Sequence, residues 1–397
     1  MLKMVDGTGI IGVDMVCPLG GAVSPPQPPN FDKVEVEGVG SLMLPNSLKV
    51  PLERVELIGN SVQGENPAPD NPQETKNVGK WNEEKQKYEI DVKVTGKNLL
   101  DMADIQNENG KIDSDFSKAK SIKPFKVIKD RKYLLISKGA MIVDVRYSSI
   151  YFGEDDLAYG QDSSRKLTTG TGYSCFIGTE TRKILVAKET CTITKTMMHG
   201  TRTEKDAYEV EELGLFEIIN DNPNIGYQPY TEQSMQITLD EPLRGIGDCK
   251  DTITKDGVVR KILEAPIAEY LQNAIYGNPG EKYISSSVPK CYINYDKNKC
   301  MSNIGFASNA ENKKYIPIPR LESFLIKVSD DDTVETIKEK MKDVIVTYTI
   351  KEPTTEHLPE SVQQQLQALH SENGVTHVFV DSGEVPCGIK LTYRKEK

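Results

Sequence analysis

Four histidines, seven cysteines and 59 carboxylates are the groups in this 397-residue chain that could do chemistry, and their spacing argues against most of it. His199, His357, His370 and His377 form neither H-x-x-x-H nor H-E-x-x-H, the spacings that turn two imidazoles toward one zinc ion. Cys17, Cys175, Cys191, Cys249, Cys291, Cys300 and Cys387 include no C-x-x-C pair, so a zinc ribbon is not expected. They read as buried thiols of a chain folded in a reducing cytosol, with a single Cys291–Cys300 disulfide as the alternative. No G-x-S-x-G nucleophile elbow occurs. Acid pairs that cleave glycosidic bonds are defined by their separation in space, so a chain with this many acids gives no evidence either way. The expectation is a protein that is not an enzyme, with no catalytic residues, no cofactor and no metal.

Three further stretches look like binding motifs. "GTGIIG" at 7–12 matches G-x-G-x-x-G letter for letter. A dinucleotide site also needs a strand before it and a helix after it, so that backbone N–H groups meet the pyrophosphate. Pro18 and the Gly/Pro clusters beyond it forbid that helix. "DIQNENGKIDSDF" resembles a calcium loop, but aligning Gly110 to the sixth position puts Ile105 first and Phe116 twelfth, where oxygen donors are required. "GEDD" at 153–156 is a candidate calcium loop of another kind, weighed against an ordinary solvated loop. Tyr147, Tyr151, Tyr159 and Tyr173 are candidate glycan contacts, because aromatic faces stack on sugar C–H surfaces while Asn, Asp and Gln bond the hydroxyls. The alternative is ordinary sheet-face tyrosines.

The bulk properties narrow the partners. Formal net charge is −10, which disfavours a nucleic-acid binder, since that role needs a basic patch to displace phosphate counterions. No apolar run reaches the ~18 residues of a membrane helix. Asp6 and Asp14 interrupt the apolar N-terminus, so neither a signal peptide nor membrane insertion is expected.

The elements that must carry these residues read as mainly β. "KVEVEGVG", "SLKVPLERVELIG" and "YEIDVKVTG" alternate with period two, turning Val34 and Val36, then Leu48, Val50, Leu52, Val55 and Leu57, then Ile90, Val92 and Val94 inward. Residues 98–231 hold many short strands separated by Gly, Asp and Ser, with a turn expected at Gly139, the pattern of a sandwich or jelly roll. Two short helices are expected in the C-terminal third. One spans 333–343 with Val334, Ile337 and Met341 on one stripe, after three aspartates that suit a helix N-terminus. The other spans 359–371 with Pro359 in its first turn and Val362, Leu366 and Leu369 in phase. Residues 1–30 form a Gly/Pro-rich arm ending in "SPPQPPN", which favours extended polyproline geometry. "GNSVQGENPAPDNPQE", 59–74, is acidic and proline-stiffened, and reads as an extended connector between strands.

Several phrases occur in a fixed order: "LIGNSVQGENPAPDNPQETKNVG", "TGKNLLD", "IGYQPY", "ITLDEPLRGIGDCKDTI", "DGVVRKI" and "PTTEHLP" with a later "LQAL". That order resembles a family of tail and baseplate structural proteins from phages of Gram-positive bacteria and from phage-tail-like bacteriocins. It covers roughly residues 40–397. The resemblance implies that the part opening with "KNLLD" and closing with "YQPY" is a carbohydrate-binding-like jelly roll inserted into a second β-rich module. The chain departs from the family at "EVEELGLFEIINDNPNIGYQPY", and no binding residues transfer.

The expected organisation is therefore an arm (1–30), a β-rich module in two parts (31–97 and 232–350), a jelly roll between them (98–231), and a C-terminal helix with a β-hairpin (351–397). The expected role is a structural virion protein of a baseplate, tail tip or fibre, assembled in the host cytoplasm. It would contact other tail subunits, form a homo-oligomer with a trimer favoured, and present the jelly roll to a cell-wall or surface glycan. The competing expectations are a virion-associated glycan-degrading enzyme and a ligand-free spacer.

Overall fold

The computed structural model describes residues 2–6, 9–13, 31–46, 48–106, 112–113, 116–140, 148–158, 160–169, 175–176, 180–200, 207–219, 221–308, 311 and 313–396. The protein is mainly β, and the described residues include two short α-helices, both in the C-terminal third. α1 is Val334–Lys340 and α2 is Glu360–Ala368. No helix among the described residues is long and apolar enough to cross a membrane.

The largest sheet gathers strands from both ends of the chain. Phe31–Val39 pairs along its whole length with Gly388–Glu396, and Ser41–Asn46 pairs with Gly374–Asp381. Gly388–Glu396 also pairs with Leu52–Ile58, and Gly374–Asp381 with Lys87–Thr95. The period-two patterns produce this directly. Ile90, Val92, Val94, Leu57 and Leu391 are completely buried in one core, against which Leu366 of α2 and Leu369 just beyond it pack. The C-terminal segment thus closes the sheet that the segment after the arm begins. Leu48, expected to point inward with Val50 and Leu52, is instead exposed, because the strand begins only at Leu52.

The strand pairings make residues 98–231 a wound-up hairpin. Ile112–Asp113 pairs with Ala207–Glu217, Phe116–Val127 with Cys191–Gly200, Lys132–Ala140 with Glu180–Ala187, and Ser148–Gly153 with Cys175–Phe176. First pairs with last and the nesting continues inward. Successive described strands alternate between a five-stranded and a four-stranded antiparallel sheet. That is jelly-roll winding. Phe125, Tyr133, Phe152 and Leu185 fill the space between the sheets. Gly139 does not make the expected turn. It lies within the strand Lys132–Ala140, at a register shift beside Lys138, where a bulge re-aims the strand without ending it.

A third core lies under α1 and the strands Lys282–Ser286 and Phe324–Val328. Ile337 and Met341, placed on one stripe by the sequence, are fully buried there. Thr333 caps α1 by accepting a bond from the Thr336 N–H, and Thr336 bonds back to the Thr333 N–H. Cys291 and Cys300 also lie in this core as free thiols, not as the alternative disulfide.

The 59–74 stretch is not an extended connector. Ser61–Gln63 and Thr75–Asn77 pair antiparallel, so it folds back as a hairpin. Ala68 and Asn71 exchange two backbone bonds across Pro69-Asp70, a turn that proline pre-sets. The tip docks on the third core's surface, where Gln63 Nε2 donates to the Ser302 carbonyl and the Gln73 N–H to the Asn303 carbonyl. At the hairpin's base, Gly59 and Gly245 let two backbones touch. A Cβ on Gly59 would lie 2.4 Å from the Arg244 carbonyl oxygen.

The last four residues of "GTGIIG" fall in an antiparallel strand pair. Gly9–Val13 is a strand pairing antiparallel with Leu2–Asp6, so no helix opens there to receive a pyrophosphate.

Candidate functional site

Two neighbouring strands carry the jelly roll. Lys87–Thr95 leads into it and Glu232–Leu239 leads out, and these two pair in register from Tyr88↔Leu239 to Thr95↔Glu232. Alternation along Lys87–Thr95 and Gly374–Asp381 then decides what faces the sandwich. Val92, Val94, Val378 and Val380 point into the core, so Lys93, Thr95, His377 and Phe379 point the other way. His377 lies opposite Thr95, and Phe379 opposite Lys93. The sandwich brings Pro124, Phe125, Arg131, Glu217 and Tyr230 against that face. Between them is a cleft of about 300 Å³. A second chamber of about 580 Å³, also lined by Lys93, Pro124 and Phe379, lies toward Lys123 and Glu232.

The charges in this gap are unevenly satisfied. Arg131 Nη1 is 2.5 Å from Glu217 Oε1. Lys123 is held 2.5 Å from Asp101, whose bond raises the lysine's pKa, and its ammonium lies 5.0 Å from the Tyr230 ring centre. Tyr230 donates its hydroxyl to Glu232, and burial together with that carboxylate pushes the phenol's pKa up. Lys93 has no such carboxylate. Its ammonium donates to the Pro124 carbonyl and stands 5.9 Å from the Phe379 ring centre. Burial lowers its pKa. His377 Nε2 is enclosed with no hydrogen-bond partner among the described residues. Burial, and then the nearby Arg131 charge, bring the imidazole down to about 4. It is neutral at ordinary pH and can donate or accept according to tautomer.

Of the four tyrosines singled out from sequence, Tyr147, Tyr159 and Tyr173 lie outside the described residues. Tyr151 is only 6% exposed, sits in the sandwich core, and carries the Arg165 guanidinium 3.9 Å from its ring centre. That face is already taken by a cation, so Tyr151 does not offer a stacking surface for sugar.

The GEDD loop is occupied by lysines. Lys166 Nζ lies 3.0 Å from Glu154 and 2.6 Å from Glu189, and Lys195 lies 3.5 Å from Asp155. Glu154, Glu189 and Cys191 do converge as a ligand-like trio. The Lys166 ammonium already pairs with both carboxylates, and burial pushes the Cys191 thiol up to about 11, away from the thiolate a metal would need.

Sequence reading did not find the cleft. Lys93 and His377 are 284 residues apart in sequence and only the sheet pairing brings them together. Alternation alone does signal Lys93, as the one cation on the outward face of "YEIDVKV".

No protein-family model matches this chain, and no curated protein does. Among solved structures, the subviral particle of infectious bursal disease virus VP2 is returned at 11% identity, covering 88% of this chain and 82% of that one. Its TM-score of 0.09 is too low to carry any argument about fold or function.

Proposed function

We propose that this chain is a non-enzymatic structural protein of a phage tail or tail-like particle, at the baseplate, tail tip or fibre, displaying its jelly roll outward to a host surface glycan. The observation that carries this reading is the manner of insertion. A complete sandwich is spliced between two adjacent, paired strands of a larger sheet. Such a two-stranded stalk fixes the sandwich's orientation, as a display module requires, and leaves the rest of the large module free to pack against neighbours. The ordered phrases that resemble tail and baseplate proteins support the same reading, since "KNLLD" and "YQPY" fall at the two ends of the insertion. A homotrimer is the assembly proposed, because rotational closure buries strand edges that otherwise invite aggregation.

Immunogold labelling of intact particles with an antibody to this chain is the test. Label at the tail end is the expected result. Label confined to capsids, or particles that carry none, overturns the assignment.

A further inference from the structure

We propose that the cleft between the jelly roll and the large sheet is a binding site for a small oxyanion, a phosphate or a sugar carboxylate, held by Lys93, His377 and Arg131. This goes beyond display of the sandwich and does not depend on where a glycan binds its loops.

The chain is strongly acidic overall, yet the cleft lining carries three cations, Lys93, Lys126 and Arg131, against two carboxylates, Glu37 and Glu217. Both carboxylates are already engaged, Glu217 with Arg131 and Glu37 with Lys390 at 3.2 Å. Lys93 is left half-buried, bonded to a carbonyl beside an aromatic ring, with Glu232 and Asp104 acting on its charge only from farther off. A partly desolvated ammonium with no carboxylate in direct contact is costly, and an anion entering the cleft reduces that cost. The second chamber, lined by Asp91, Glu232 and Asp381 against Lys93 and Lys123, has the opposite balance and would repel the same ligand.

Geometry adds the second donor. His377 and Lys93 are diagonal neighbours on one face of paired strands, within reach of a single small ligand. The enclosed His377 Nε2 is a polar atom with no hydrogen-bond partner among the described residues, turned into a cleft between two domains, where ligand sites concentrate. An oxyanion accepting from Lys93 Nζ and from His377 in its Nε2–H tautomer would satisfy both. The volume of about 300 Å³ suits a phosphate or one acidic sugar unit. Because Arg131 belongs to the sandwich and the other two residues to the sheet, a bound oxyanion would also fasten one to the other.

The test titrates the full-length protein with inorganic phosphate and, separately, with glucuronate, each against sodium chloride of equal ionic strength. Calorimetry gives the affinity, and the His377 ring signals are followed by NMR. The expected result is saturable binding of at least one anion, movement of the His377 ring signals with the same midpoint, and at least tenfold weaker affinity in Lys93→Gln. Glucuronate alone would assign a sugar acid, and phosphate alone a phosphoryl group. No saturable binding of either anion overturns the proposal. So does binding that leaves the His377 signals unmoved, a readout that stands even where Lys93→Gln fails to fold.

Discussion

Asn98 and Gln228 touch across the base of the jelly roll: Asn98 Nδ2 donates to the Gln228 carbonyl at 3.2 Å. One belongs to "KNLLD" and the other to "YQPY", the first and last phrases of the insertion. The Asn98 carboxamide is 1% exposed, and its Oδ1 accepts from the Leu100 and Leu215 N–H groups at 3.0 Å each. A single side chain therefore ties the strand that leaves the large sheet to the one that returns, and to the sandwich's strand Ala207–Glu217.

Asn98→Ala removes that tie and leaves two buried N–H groups without acceptors. Each orphaned group costs about 1–3 kcal/mol, so a loss of about 2–6 kcal/mol is expected, concentrated in the sandwich. Chemical denaturation followed by hydrogen exchange checks this. Uniform loss of protection across the large sheet, with the sandwich spared, would contradict it.

Excision is the complementary experiment. Because Thr95 and Glu232 are direct cross-strand partners, replacing residues 96–231 by a two-residue Asn-Gly turn should restore an ordinary hairpin. The shortened chain is expected to remain folded, with a cooperative thermal transition and β-type circular dichroism. An unfolded product would mean that the large sheet needs the sandwich's cover on its Lys93 and Phe379 face.

These two experiments also mark what the sequence made legible. Strict alternation such as Ile90, Val92 and Val94 named the core face of each strand, because a period of two has one geometric solution once one side is buried. The helix stripes through Ile337 and Leu366 were equally readable. The partners of each strand were not. The pairing of Phe31–Val39 with Gly388–Glu396 spans nearly the whole chain, and no local pattern encodes it. The cleft depends on such long-range pairings, so His377 matches no histidine motif and nothing local sets it beside Lys93. Tyr151 failed as a glycan contact for a related reason, since burial depends on the strand opposite.

Acid should weaken the protein through His377. Its imidazole titrates near 6.5 when unfolded and at about 4 in the fold. Above 6.5 it is neutral in both states and has no effect. As pH falls from 6.5 toward 4 the unfolded chain binds a proton that the folded one refuses, so stability declines, by about 3 kcal/mol in all. Below 4 the contribution is flat. His377→Gln should flatten the stability profile over that window. An unchanged slope in the variant would remove His377 as its cause.

The lysine at the GEDD loop should exclude metal. Hydrogen bonds that Lys166 donates to Glu189 and then to Glu154 raise its pKa, so its charge persists at any ordinary pH. Lys166→Ala would leave Glu154, Glu189 and Cys191 facing one another without a cation. Zinc is then expected to raise the melting temperature of the variant and leave the parent unmoved. Equal shifts in both proteins would show that the ammonium does not guard the site.

The proline-stiffened hairpin makes a claim that a single methyl group can test. Gly305 has φ +74°, and a Cβ there would lie 2.5 Å from the Pro67 carbonyl oxygen. Gly160 has a similar φ, +81°, but nothing within 4 Å of the added atom. Gly160→Ala should therefore cost only the left-handed backbone strain, about 1 kcal/mol, whereas Gly305→Ala adds a clash against backbone that proline holds stiff. If the 59–74 hairpin bolts the large sheet to the third core, Gly305→Ala costs about 2–3 kcal/mol. It should also expose the peptide bonds around Asn66 and Asp70 to protease, since lost docking leaves the loop unsupported. Were it only a connector lying loosely on the surface, the two alanine variants would lose equal stability and the hairpin would be cut no faster than in the parent.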